Sequence, residues 1–222
     1  MDEQYKPGLA FRFLTPFYDP VTSWLGAGPA FMRKVLEIAG LKGNETVFDI
    51  GCGTGTLIIE AGRKYPYLDI TGIDADESML RIAEKKLKKA GIRAHLSRGF
   101  LQNPLPFPDA SFDLVFSSLV FHHLSTDIKR QAIKEIYRVL KGNGRFLLVD
   151  FGKPENTGTK ILLNLGSLFD GGGNLRANLK GDLPVFLQEA GFQVTEIRPR
   201  YRTLQFLLAK KLSSGASALQ VK

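Results

Sequence analysis

Three glycines follow a short apolar run and could bring the main chain close to a ligand. The run at residues 47–50 has the composition of a buried strand, and a helical pattern begins at about residue 56. Between them, Gly51, Gly53 and Gly55 stand at alternate positions. Glycine adopts backbone conformations that other residues avoid, so this turn can approach a ligand and direct helix N–H groups towards it. The sequence therefore predicts a ligand-binding turn at this position.

The glycine spacing and the acid before it indicate the kind of ligand. A Gly-x-Gly-x-x-Gly dinucleotide turn would need its third glycine at Thr56, and no Gly-Lys-Ser/Thr sequence follows to hold a triphosphate. The carboxylate of Asp49, two residues before Gly51, would repel a pyrophosphate but suits a ligand that carries positive charge. S-adenosylmethionine has that charge in its sulfonium and amino groups, and it carries no phosphate.

A second acid stands at the end of the next strand pattern. Residues 70–73 are rich in β-forming side chains and lead into Asp74, 19 positions after Gly55. In nucleoside-binding folds, an acid about 20 residues beyond the glycine turn binds the ribose hydroxyls. Asp76 then fits the N-cap of a following helix. We interpret Asp74 as a ribose ligand, with simple helix capping as the alternative.

The motifs resemble, in type and in order, those of class I S-adenosylmethionine-dependent methyltransferases. Asp49–Gly55 is similar to their first motif, and residues 105–115 resemble the loop and fourth strand of the branch that acts on small molecules. Residues 140–150 are similar to a later motif, in which a helix stops at a glycine turn and a buried strand follows. The resemblance covers about residues 45–150, and weaker similarity continues to about residue 211.

The resemblance implies that S-adenosylmethionine is the cofactor, and it suggests which residues bind it. Tyr18 belongs to a Tyr-Asp pair similar to one in ubiquinone and menaquinone biosynthesis methyltransferases, so it would contact the methionine moiety, with packing as the alternative. Many members carry Gly-Asp where this chain has Gly99–Phe100, so Phe100 would pack against adenine, or Gln102 or a carbonyl would supply the polar contact. The expected cofactor-binding residues are Tyr18, Asp49, Gly51, Cys52, Gly53, Gly55, Asp74, Ala75, Met79, Gly99, Phe100, Leu101 and Ser117.

Two adjacent histidines, His122 and His123, follow the fourth strand pattern and are candidate general bases. Methyl transfer needs an in-line arrangement and exclusion of water, and it needs a base when the nucleophile carries a proton. A structural role in the turn is the alternative for each histidine. The remaining histidine, His95, falls in a strand pattern and is expected to be structural. No metal site is expected, because the histidines and acids lack ligand spacing.

Helical and strand patterns alternate along the chain and predict an α/β fold. We expect a doubly wound, Rossmann-like sheet of seven mostly parallel strands with helices on both faces, and the resemblance adds an antiparallel last strand. The methyltransferase domain should span residues 30–212, between an N-terminal helical cap (1–29) and a flexible tail (213–222). The apolar segment 152–181, which contains three consecutive glycines, should form a substrate lid.

Composition and charge are those of a globular protein with a substantial core. The chain has 222 residues, of which 44% are hydrophobic and 23% charged, and no apolar run is long enough for a transmembrane helix. The N-terminal residues lack a secretory signal, and one cysteine permits no internal disulfide, so a cytoplasmic location is expected. The net charge of +8 is concentrated in residues 81–98 and 198–211. The first of these stretches is expected to form a solvated helix face, with attraction to an anionic membrane or to an acidic substrate as the alternatives, and no nucleic-acid-binding module is evident.

The sequence thus predicts methyl transfer from S-adenosylmethionine to a small acceptor. The apolar cap and lid segments favour a lipophilic or aromatic acceptor, methylated at oxygen, carbon or nitrogen, and no oligomeric state is indicated. One alternative is a nucleic-acid or protein methyltransferase. Another is a protein that binds S-adenosylmethionine or S-adenosylhomocysteine without turnover.

Overall fold

A computed structural model describes residues 28–155, 174–201 and 203–213 of the chain. The residues cluster into two units, 1–100 and 101–222. Most of the predicted N-terminal cap, including Tyr18, lies outside the described residues, as do positions 156–173 of the predicted lid and most of the predicted tail.

The first unit alternates helices and strands around a parallel sheet. Its described elements are α1 (Pro29–Ala39), β1 (Thr46–Ile50), α2 (Thr56–Lys64), β2 (Asp69–Asp74), α3 (Glu77–Ala90) and β3 (His95–Arg98). β2 pairs in parallel with both β1 and β3. The predicted N-cap of α3 is confirmed, because the Asp76 side chain accepts a hydrogen bond from the Ser78 N–H at 2.8 Å.

The second unit combines a parallel strand pair with an antiparallel hairpin. Its described elements are β4 (Phe112–Ser118), a 3₁₀ helix (Phe121–His123), α4 (Thr126–Val139), β5 (Leu140–Phe151), α5 (Arg176–Lys180), α6 (Leu183–Glu189), β6 (Gln193–Tyr201) and β7 (Leu204–Lys210). β4 and β5 are parallel, whereas β7 is antiparallel to both β5 and β6. α5 lies within the described end of the predicted lid segment.

The seven strands are ordered β3-β2-β1-β4-β5-β7-β6. The predicted α/β fold, with a seven-stranded, mostly parallel sheet and an antiparallel last strand, is therefore confirmed. None of the described helices has the length and apolar character needed to cross a bilayer.

One local prediction is wrong. The chain does not form a glycine turn after α4, because β5 begins at the fully buried Leu140. Leu140 pairs with Phe112 and Arg145 with Leu114, so residues 141–144 form an irregularity within the ladder instead of a separate turn.

Arg138 of α4 holds the segment at residues 105–109 in place. Its guanidinium donates to the carbonyl oxygens of Leu105 (3.0 Å) and Phe107 (2.8 Å) and to the carboxylate of Asp109 (2.9 Å). Glu135, one turn earlier, accepts from Arg138 and from the Leu105 N–H, and the bond from Arg138 is the main cause that lowers the pKa of Glu135. This network fixes the loop that leads into β4.

Replacing Arg138 by methionine should lower the free energy of unfolding by about 1–3 kcal/mol, because several charge-assisted hydrogen bonds are lost together. Urea denaturation of the full chain measures this change. Lys134→Met, an exposed position on the same helix, is the matched control and should change stability by less than about 0.5 kcal/mol. Equal effects of the two substitutions would contradict the role given to Arg138.

Candidate functional site

The glycine turn after β1 requires glycine at three positions. Gly51, Gly53 and Gly55 have φ angles of 70°, 53° and 74°, which are strained for other residues. The N–H groups of Gly51 and Cys52 donate to the Ile73 carbonyl at 2.8 and 3.0 Å, so the turn is fastened to β2. A Cβ added at Gly53 would meet nothing within 4 Å, which leaves this side of the turn open to a ligand.

Asp74 is the last residue of β2, and its carboxylate accepts a hydrogen bond from the glycine turn. Oδ2 accepts from the Gly53 N–H and Oδ1 accepts from the Asp76 N–H, both at 2.8 Å. Burial raises the pKa of Asp74, although these two hydrogen bonds oppose the shift. A carboxylate oxygen can accept two hydrogen bonds, so each oxygen retains capacity for a hydroxyl donor. The capping of α3 belongs to Asp76, which leaves Asp74 suited to the predicted ribose contact.

Asp49 on β1 is a buried carboxylate with 3% of its surface exposed. Burial first, and then the charge of Asp74, raise the pKa of Asp49 to about 7. Within the described residues, no basic side chain pairs with it. A bound cation would compensate this carboxylate, as the sequence analysis anticipated. Cys52 lies beside it, and burial raises the pKa of the thiol, which therefore stays neutral and suits a packing role.

The predicted adenine-side residues are connected to Asp74 through the main chain. The Gly99 N–H donates to the Asp74 carbonyl at 3.1 Å, and the Met79 N–H donates to the Asp76 carbonyl at 3.1 Å. Arg98, which the sequence analysis missed, lies with its guanidinium carbon 4.9 Å from the centroid of the Phe100 ring. Its Nε also donates to the Ala75 carbonyl at 3.2 Å. The only sequence signal for Arg98 was its place two residues before Phe100.

The other predicted cofactor residues lie in the second unit. Leu101 is buried at the start of that unit, and Ser117 is fully buried near the end of β4. The Ser117 hydroxyl has no hydrogen-bond partner among the described residues. Such a buried hydroxyl retains an unmet hydrogen-bonding capacity.

The two candidate bases occupy different environments in the 3₁₀ helix after β4. Nδ1 of His122 lies 3.0 Å from Oδ1 of Asp150, the penultimate residue of β5, and the His122 N–H donates to Oδ2 of Asp150 at 3.2 Å. The ring of His123 lies against that of His122, with centroids 3.9 Å apart and the ring planes tilted by 44°. Sequence reasoning missed Asp150. The sequence feature that could have indicated Asp150 is its position at the carboxyl end of a strand, which is also the position of Asp74 in β2.

In the part of the chain that the structure describes, no cluster of three or more histidine, cysteine or acidic side chains could hold a metal ion.

Comparison with known proteins connects these features to a family. Residues 47–144 match the family described as "Methyltransferase domain". The chain is 32% identical over 157 residues to a ubiquinone/menaquinone biosynthesis C-methyltransferase, UbiE, of Pseudomonas entomophila, covering 68% of this chain and 60% of the relative. It is 36% identical over 132 residues to a demethylmenaquinone methyltransferase of Thermotoga maritima, covering 60% of this chain and 54% of the relative. The chain thus spans little more than half of these relatives' length.

Solved structures support the fold. The YcgJ protein of Bacillus subtilis is similar with a TM-score of 0.68 and 22% identity, covering 82% of this chain and 98% of that one. The [4+2]-cyclase SpnF is similar with a TM-score of 0.70 and 20% identity, covering 90% and 93%. These likenesses concern the fold alone. Through the glycine turn and the family match over residues 47–144, the chain is similar to class I S-adenosylmethionine-dependent methyltransferases, and among them it resembles the ubiquinone/menaquinone branch.

Proposed function

We propose that this protein transfers a methyl group from S-adenosylmethionine to a small lipophilic or aromatic acceptor. The observation that carries the proposal is the turn of left-handed glycines bonded to the Asp74 carboxylate at 2.8 Å, next to the buried Asp49. This arrangement offers hydroxyl acceptors and negative charge in one place, and both suit a cationic nucleoside.

The residues of the first unit fit that cofactor by chemistry. When bound, S-adenosylmethionine supplies an activated methyl group on a positively charged sulfur. Asp49 would balance the positive charge of the ligand, and Asp74 would accept hydrogen bonds from the ribose hydroxyls. Phe100, held under the Arg98 guanidinium, would pack against the adenine ring. Tyr18 remains a proposed contact to the methionine moiety.

The acceptor class is supported by the names of the relatives. Two of them act in ubiquinone or menaquinone biosynthesis by name, so a quinone-related aromatic molecule is the acceptor class that we propose. An acceptor of this kind carries an ionisable hydroxyl in its reduced form, and His122 or His123 would accept its proton. The exposed lysines of α3, Lys85, Lys88 and Lys89, would allow peripheral contact with an anionic membrane from the cytoplasm.

The full chain, incubated with S-adenosylmethionine labelled in the methyl group and with a short-chain demethylmenaquinol or a lipid extract, should produce label in the organic phase. Asp74→Asn should lower that rate at least about 10-fold, because charged hydrogen bonds to the ribose are weakened. His95→Gln is the matched control, since this side chain is 83% exposed, and it should keep full activity.

Each other outcome of the labelling experiment is informative. Label in nucleic acid or protein would replace the proposal by the corresponding macromolecular methyltransferase. Calorimetric binding of S-adenosylmethionine without any labelled product would favour a binding protein without turnover. The calorimetric measurement is needed because the chain is similar in fold to a [4+2]-cyclase, and one fold can carry different chemistry.

Asp49 should lower the stability of the free protein at neutral and alkaline pH. Its pKa of about 7 in the folded chain exceeds the ordinary value of 3.8, so its favourable contribution is complete below about pH 4 and is lost as the pH rises towards 7. We therefore expect the stability of Asp49→Asn, relative to wild type, to increase by about 2–3 kcal/mol between about pH 5 and pH 8. Urea denaturation at both pH values measures it.

The control for this prediction is Asp69→Asn, at the start of the neighbouring strand, where the side chain is 66% exposed. Its effect on stability should differ little between the two pH values. A pH-independent effect of Asp49→Asn would contradict the raised pKa of Asp49.

A further inference from the structure

Asp150 in the second unit is a fully buried carboxylate that accepts hydrogen bonds from three residues. Oδ1 lies 3.0 Å from His122 Nδ1, and it also accepts from the Phe151 N–H at 2.7 Å and from the Asn178 side-chain amide at 3.1 Å. Oδ2 accepts from the His122 N–H at 3.2 Å. Burial alone would raise the pKa of Asp150, but the His122 imidazole and the hydrogen bonds from His122 and from the Phe151 N–H outweigh it and lower the pKa.

An ionised Asp150 determines the tautomer of His122. A carboxylate can only accept hydrogen bonds, so Nδ1 of His122 must carry the proton that the 3.0 Å contact needs. In a neutral imidazole, Nε2 is then the basic nitrogen. Within the described residues, no hydrogen bond occupies Nε2. The side chain of His122 remains 10% exposed, and the Phe151 ring packs edge-on against it at 5.0 Å between centroids.

Asn178 of α5 holds the carboxylate from a third element. Its Nδ2 donates to Asp150 Oδ1 and to the Phe151 carbonyl. Its own Oδ1 is buried and has no hydrogen-bond partner among the described residues. The reverse amide orientation would place Oδ1 against the Asp150 carboxylate, so the donor side must face Asp150. A buried oxygen without a hydrogen-bond partner costs free energy, so packing alone does not explain an asparagine at this position.

Of the two histidines, Asp150 contacts His122. The bonds of Asp150 go to His122, Phe151 and Asn178, and none goes to His123. The main-chain oxygen of His123 instead accepts from the Asn174 side chain at 2.7 Å. Among the described residues, the titratable groups in contact with His122 are Asp150 on β5 and His123 on its own turn. The buried Lys129 of α4 donates from Nζ to the Leu124 carbonyl, two residues beyond His122, at 2.6 Å.

We propose that Nε2 of His122 is the general base of methyl transfer, that Asp150 and Asn178 are its positioning residues, and that the acceptor is therefore a molecule whose nucleophile carries a removable proton. This inference rests on the proposed function. The acceptor class includes phenols, hydroquinones and activated carbon acids, and it excludes thioethers and tertiary amines, which need no base.

The step balances with the groups named. The acceptor's oxygen or carbon forms a bond to the methyl carbon, and the methyl–sulfur bond breaks with its electron pair remaining on sulfur, which becomes a neutral thioether. The acceptor's proton moves to Nε2 of His122 and then to solvent. Asp150 stabilises the resulting imidazolium without taking its proton, and Asn178 keeps the carboxylate oriented.

The tautomer can be measured without turnover. Two-bond ¹H–¹⁵N correlations of the full chain, labelled with ¹⁵N-histidine, report which ring nitrogen is protonated, and the chain has three histidines that single substitutions can assign. At about pH 8, His122 should carry its proton on Nδ1, and Asp150→Asn should shift it towards Nε2. Protonation of His122 on Nε2 in the wild type would overturn the inference.

Kinetics with the demethylmenaquinol probe test the catalytic role. His122→Gln should lower kcat about 10²- to 10⁴-fold and leave the dissociation constant of S-adenosylmethionine unchanged. Asp150→Asn should lower kcat at least about 10-fold and move the acidic limb of the pH profile to lower pH, because the imidazolium loses its counter-charge. Asn178→Leu should lower kcat about 3- to 10-fold. His95→Gln again serves as the control.

The outcomes separate this inference from the proposed function. Retained kcat in His122→Gln, or a large loss confined to His123→Gln, would overturn the inference while methyl transfer itself stands. An Asp150→Asn variant with an unmoved pH profile would reduce Asp150 to a structural residue and would likewise overturn it. If the wild type transfers no methyl group to any acceptor, the proposed function and the catalytic role of His122 fail together.

Discussion

The proximity of the buried carboxylate of Asp49 to the partly buried carboxylate of Asp74 is the constraint on which the first unit depends. Burial first, and then the charge of Asp74, disfavour the ionised form of Asp49 and raise its pKa to about 7. Asp74 is tolerated because the N–H groups of Gly53 and Asp76 face it. The Gly53 N–H takes this direction in a left-handed backbone conformation. The glycine turn, the end of β2 and the start of α3 therefore meet at one carboxylate, and the negative charge that remains is free for a cationic ligand.

Asp150 is also a buried aspartate, but donors within the protein balance its charge. It is as buried as Asp49, yet its pKa is lowered, because His122 and Phe151 direct donors at it. The Asn178 amide adds a further hydrogen bond. A carboxylate whose charge is balanced by donors within the protein needs no ligand to balance it, and it can hold a neighbouring side chain in one orientation. Among the described residues, Asp49 has no such set of donors. This contrast supports the proposed roles, in which the uncompensated acid balances ligand charge and the compensated acid orients an imidazole.

The sequence predicted those parts of the site that depend on local backbone requirements. Gly51, Gly53 and Gly55 stand at alternate positions in the chain, and the Asp74 strand end follows at a typical distance, so the spacing alone indicated both. The network of His122, Asp150 and Asn178 was missed because its members lie 28 positions apart along the chain and meet only through folding. The glycines at 142 and 144 were misread for a related reason: they lie opposite Asp113 in the pairing of β4 with β5, which a single sequence does not reveal.

The proton balance of cofactor binding tests the account most directly. Calorimetric titration of the full chain with S-adenosylmethionine at about pH 6.5, repeated in buffers with different ionisation enthalpies, counts the protons exchanged. Because the pKa of Asp49 is about 7, it is largely protonated at this pH, and a cationic ligand should expel much of that proton. Release of about half a proton or more, which disappears in Asp49→Asn and with neutral methylthioadenosine, is the predicted result. Binding without proton release, or with equal release in Asp49→Asn, would contradict the account.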